Sequence, residues 1–256
     1  MELVEKLVCR KNLLTQTFLT SKIQLDKLEV VGGNIMHAKK DWCSLIIGFL
    51  GALLGLYGVV SFNQFVRMSL PLGLRMVSMP IIYWLIALIP IIIMLVNKDT
   101  LKDLGFSKSK IGLQIIIGIL IGIVMSLVFT LVPHLLHLGA YVDNGNRYQY
   151  LWQFIYEFIY CIIAIGFVEE CVFRGFIYDK IKKITQNEVI TVIGSSLLFG
   201  AFHIFSGSLV QMVMTACLGV LWCLCRLKIK NCSTLSLAIA HGIYDALITV
   251  WASTLL

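Results

Sequence analysis

The chain has 256 residues, of which 59% are apolar and 14% charged, and its formal net charge is +7. With a mean hydropathy of +0.89, it is excluded from the ordinary water-soluble globules, and hydrocarbon is its main solvent. The basic excess does not call for a nucleic acid, because Lys and Arg gather in alternate connecting segments, as orientation in a bilayer requires.

In residues 1–36, Val4, Leu7, Leu14, Phe18, Leu25 and Leu28 recur at helical spacing beside Lys and Glu. This fits an amphipathic helix on the inner membrane face or a poorly ordered tail ending at Gly32 and Gly33. Arg10, Lys11 and Lys22 interrupt any apolar run, so no signal-peptide cleavage is expected.

Apolar stretches long enough to cross, roughly 20 residues each, follow at 43–62, 76–96, 111–133, 150–178, 189–206, 208–225 and 233–256. They lack period-2 alternation, which argues for helices over barrel strands. The expected fold is an all-α polytopic bundle of about seven spans, with room for an eighth, forming one domain over 37–256. Gly48, Gly51, Gly55 and Gly58, and Gly118 with Gly122, have the spacing that lets helix backbones approach. The eight cysteines form no C-x-x-C pair and read as small buried hydrophobes. With the N-terminus inside, 17 of the 21 Lys and Arg residues fall on the inner side, which predicts an outer C-terminus.

Within the fourth span stand Glu169, Glu170 and Arg174. Each charge near the bilayer centre costs roughly 2.5 to 3.5 kcal/mol, so three without compensation would approach the stability of a whole domain. Glu170 and Arg174 are i and i+4 on one helix face and can pair. Phe173 holds the i+4 position of Glu169, which makes Glu169 the candidate general base. A buried ion pair that merely fixes helix register is the competing reading.

Two further clusters weigh against it. Phe199-Gly-Ala-Phe-His203 puts a histidine in the fifth span, and His241-Gly-Ile-Tyr-Asp245 puts a histidine and a carboxylate one turn apart in the last. Either histidine alone would read as a satisfied core residue. At about 1.5 Å per residue, Glu169 lies roughly 21 Å from inner-side Lys183, and His203 roughly 22 Å from inner-side Glu188. Asp245 lies roughly 18 Å from Ser233. Similar depths on three helices imply a shared polar cavity. With neither G-x-S-x-G nor H-E-x-x-H present, the chemistry that fits is water activated by Glu169 and His203. His241 and position 245 would then serve a developing oxyanion.

The ordered set Glu-Glu-x-x-x-Arg, Phe-x-x-x-His and His-x-x-x-Asp, with Phe-Arg-Gly-Phe-Ile-Tyr at 173–178, resembles the CPBP (or Abi) family. That family comprises type II CAAX prenyl endopeptidases and bacteriocin-processing proteins, which are glutamate-type intramembrane proteases. The resemblance covers about 160–247. It implies that Glu169 and His203 activate water, that Glu170 and Arg174 support the site, and that His241 with Asp245 forms the oxyanion hole. Many members carry Asn at position 245, and an ionised Asp there accepts hydrogen bonds without donating them. The resemblance further implies a bacterial cell-membrane protein acting on a hydrophobic, lipidated or membrane-associated peptide, with no cofactor and no nucleic-acid partner. Peptide maturation and bacteriocin immunity are the associated roles. Two alternatives remain open: a zinc enzyme using Glu169, His203 and His241, and a non-catalytic immunity or scaffold protein. The oligomeric state is not legible.

Overall fold

The computed structural model describes residues 38–66, 68–142 and 145–255. The segment 1–36, expected as an amphipathic helix or a tail, lies outside the described residues. Seven helices are long and apolar enough to cross a membrane: α1 (Ala38–Val66), α2 (Leu72–Asn97), α3 (Ile111–Leu135), α4 (Leu151–Thr185), α5 (Glu188–Ser206), α6 (Leu209–Lys228) and α7 (Thr234–Thr254). The chain is an all-helical, multi-pass integral membrane protein. Its contacts divide after Cys43, and the larger unit begins at Ser44.

Sequence chemistry explains the helix order. Leu54, Val77, Ile116, Ile155 and Val213 face outward with half or more of their surface exposed, which suits lipid, where backbone groups must be satisfied within the helix. In its most apolar stretch α7 is 67% buried, against at most 39% for any other span, and so α7 is the central helix. Glycines bring its neighbours onto it. A Cβ at Gly118 or Gly122 of α3 would stand 2.6 Å from the Ser236 carbonyl oxygen or 2.7 Å from that of Ala240. Gly166 of α4 lies against the Ala238 carbonyl, and Gly242 of α7 lies against the backbone of Ile162. Small residues at such crossings permit backbone contact that any side chain would prevent.

Two local irregularities shape the interior. In α4 the four α-helical residues Phe167–Glu170 are flanked by π-helical turns at Cys161–Gly166 and Cys171–Ile177. Such widened turns re-aim side chains and recur at functional sites. In α2, Pro80 offers no N–H to the Met76 carbonyl, and that carbonyl instead accepts from the Tyr156 hydroxyl at 3.1 Å. Just beyond, the helix tightens at Trp84, whose N–H bonds Ile81 at 3.2 Å, and Tyr83 points inward at this break with 9% of its surface exposed.

The connection between α2 and α3 anchors the bundle. Lys180 and Lys183 of α4 donate to Asp99 at 2.6 and 3.0 Å. Thr234, at the start of α7, donates from its N–H to the Gly105 carbonyl at 3.2 Å and from its hydroxyl to Leu104 at 2.5 Å. Gly105 has φ +76°, a left-handed conformation natural to glycine. Burial works against the charge on Asp99, but the hydrogen bonds and charges of the two lysines outweigh it and hold Asp99 below its ordinary value.

Candidate active site

Glu169 and Glu170 are 3% and 0% exposed, Arg174 1% and His241 6%, so four ionisable side chains occupy the interior between α4 and α7. Each has specific partners. Arg174 donates from Nη1 to Glu170 Oε1 at 2.9 Å, and its guanidinium lies 4.0 Å over the Phe199 ring. The Arg174 carbonyl accepts from Arg226 at 2.5 Å. On the other side of the same Glu170 oxygen stands His241 Nδ1, at 2.8 Å. The remaining His241 nitrogen, Nε2, faces Asp245 Oδ2 at 3.4 Å and Glu169 Oε2 at 3.9 Å. Carboxylate oxygens thus meet both nitrogens, and the arrangement is satisfied when each carries a proton.

Glu169 has a partner that helical spacing within α4 did not reveal. Tyr83 of α2 donates its hydroxyl to Glu169 Oε1. The two side chains line a cavity of about 230 Å³ together with Leu56 and Val60 of α1 and Phe202, His203, Phe205 and Ser206 of α5. His203 Nδ1 meets the Phe199 carbonyl at 3.0 Å. A carbonyl only accepts, so Nδ1 holds the proton and a neutral ring keeps Nε2 as its acceptor.

Aromatic rings hold both histidines. Phe199 meets His203 and His241 edge-on at centroid distances of 5.1 and 5.9 Å. Trp222 of α6 stacks on His241 at 5.9 Å with a 25° tilt. In the sequence, Trp222 is one more aromatic residue in an apolar span, so nothing marked it for this position.

Of the six candidate residues, Glu169, Glu170, Arg174, His241 and Asp245 form one continuous polar cluster, and His203 reaches it through the cavity wall shared with Glu169. His241 itself is absent from the lining of that cavity. Among the described residues no group of three or more His, Cys, Asp or Glu side chains is arranged to hold a metal ion. The proposed zinc set of Glu169, His203 and His241 therefore does not converge as ligands.

A bundle of membrane-spanning helices carrying a buried carboxylate and histidine cluster defines the class of membrane-embedded proteins with buried ionisable sites. Residues 151–247 match the family model for Type II CAAX prenyl endopeptidase Rce1-like proteins, so this segment is similar to the family to which the sequence resemblance pointed. No curated protein and no solved structure matches it. All six candidate residues lie inside the matched segment, whereas Tyr83, Leu56 and Val60 lie outside it.

Proposed function

We propose that this membrane protein hydrolyses a peptide bond with water activated by Glu169. The observation that carries the reading is the shared cavity, which a buried carboxylate and a histidine both line, the histidine with its Nδ1 turned to the Phe199 carbonyl. Water held there would give a proton to Glu169 while hydrogen-bonding His203 Nε2. The hydroxide would attack the amide carbonyl carbon, and the protonated Glu169 would return the proton to the amine as the C–N bond breaks. His241 Nε2 would share its one N–H between Asp245 and the oxyanion, with Glu170 fixing the ring through Nδ1.

The apolar walls given by Leu56, Val60 and Phe202 suit a hydrophobic or lipidated peptide reaching the site from within the bilayer. The distribution of Lys and Arg supports an N-terminus in the cytoplasm. The Glu-Glu-Cys-Val-Phe-Arg-Gly segment supports a bacterial origin.

The test uses protein reconstituted in liposomes with two internally quenched peptides, one ending in a farnesylated Cys-aliphatic-aliphatic-Met sequence and one an unlipidated hydrophobic helix. Wild type is expected to cleave at least one of them, and Glu169→Gln to lose about 10²- to 10⁴-fold in rate. Cleavage by Glu169→Gln at the wild-type rate, or by neither protein, overturns the reading and favours a non-catalytic immunity or scaffold role.

A further inference from the structure

We infer that Tyr83 is a positioning residue for the general base, an assignment that rests on the reading of Glu169 above. Tyr83 reaches the site from α2, outside the segment that matches the family, so no motif assigns it a role. Its hydroxyl donates to Glu169 Oε1, and its ring lines the same cavity as Glu169 and His203.

Three features hold the phenol in place. The break in α2 at Trp84 turns Tyr83 inward, and the Tyr83 ring packs edge-on against Tyr160 of α4 with centroids 6.2 Å apart and planes at 79°. Tyr160 in turn stacks on Tyr156 at 6.0 Å, and Tyr156 is tied to α2 through the Met76 carbonyl that Pro80 leaves unbonded. The donor is therefore fixed to the same helix pair that carries the base.

The consequence for Glu169 follows from its two oxygens. Oε1 is occupied by a phenol that can only be a donor toward a carboxylate, and Oε2 faces the imidazole of His241 at 3.9 Å. Tyr83 thus restrains rotation of the carboxylate and leaves one oxygen to exchange a proton with water. A group held this way in both ground and transition states contributes to turnover through geometry and contributes little to the hold on an apolar substrate.

Tyr83→Phe keeps the ring and its contact with Tyr160 while removing the donor. With whichever quenched peptide wild type cleaves in liposomes, this variant is expected to lose about 10- to 100-fold in kcat, with KM little changed. Replacing Tyr83 with 3-fluorotyrosine, which retains the hydroxyl, is expected to restore kcat to near the wild-type value and guards against a folding defect in the Phe variant. A kcat within twofold of wild type for Tyr83→Phe, beside an inactive Glu169→Gln, overturns the role of Tyr83 and leaves that of Glu169 standing. Wild-type activity in Glu169→Gln overturns both.

Discussion

His241 Nδ1 stands 2.8 Å from Glu170 Oε1, the same oxygen that receives the Arg174 guanidinium at 2.9 Å. One carboxylate oxygen thereby joins α4 to α7 and satisfies two donors in the interior. A buried pair of this kind is weak evidence for net stability, yet losing one partner is costly because the other is left charged and unmatched. Glu170→Ala is accordingly expected to destabilise the folded protein by about 3 to 5 kcal/mol, read by chemical unfolding in detergent. Replacing both partners, as Glu170→Leu with Arg174→Met, should cost less than Glu170→Ala alone. A double variant less stable than the single one would show that the pair contributes more than mutual neutralisation.

The distance between Glu170 and His241 is set by two glycines on facing helices. Any side chain at Gly166 would run into the Ala238 carbonyl, and any at Gly242 into the backbone of Ile162. Gly166→Val and Gly242→Val are each expected to cost about 1 to 3 kcal/mol through overpacking and to abolish peptide cleavage by separating α4 from α7. Gly73→Ala in α2 is the control, since its Cβ would meet nothing within 4 Å. It should leave cleavage intact. Melting curves and cleavage rates on the three variants check the contrast.

Much of this was legible in the sequence because a bilayer makes polar residues conspicuous. The seven spans followed from apolar length, and the observed helices differ from the expected ranges by a few residues, except that α4 continues to Thr185. Its last turns carry Asp179, Lys180 and Lys183, whose charges suggested water but which pair with one another and with Asp99. The cluster of Glu170, Arg174 and His241 could be anticipated from helical spacing and equal depth. Tyr83 and Trp222 could not, since an aromatic residue in an apolar span carries no mark of its partner. Gly166 and Gly242 were also passed over, because each stands alone on its helix face without the paired spacing seen in α1 and α3.

Asp99 links the connection after α2 to the end of α4, and its link should titrate. Lys180 and Lys183 hold its folded-state pKa below the ordinary 3.8, so the stabilisation is present above the unfolded value and is lost as pH falls through the folded one. Asp99→Asn is therefore expected to lower the melting temperature at neutral pH. The gap between variant and wild type should close as pH falls below the ordinary carboxylate range, where wild-type Asp99 also loses its charge. Melting temperatures of both proteins across an acid series test this, and a gap that stayed constant with pH would assign the effect to something other than the carboxylate charge.

Asp245 sits one turn beyond His241, with Oδ2 3.4 Å from Nε2, opposite the side on which Glu170 holds Nδ1. From there it can orient the imidazole, but an ionised carboxylate would repel an oxyanion if it faced one directly. If orientation is its task, an amide oxygen in the same place should serve nearly as well. Asp245→Asn is expected to keep kcat within about tenfold of wild type, a barrier change of about 1.4 kcal/mol. Asp245→Leu removes the acceptor and frees the ring to turn, and should lose about 10²- to 10³-fold, comparable to losing an oxyanion donor. Steady-state cleavage by the two variants decides the matter: a leucine variant as active as wild type would remove Asp245 from the site, and an asparagine variant as impaired as leucine would show that the negative charge itself is required.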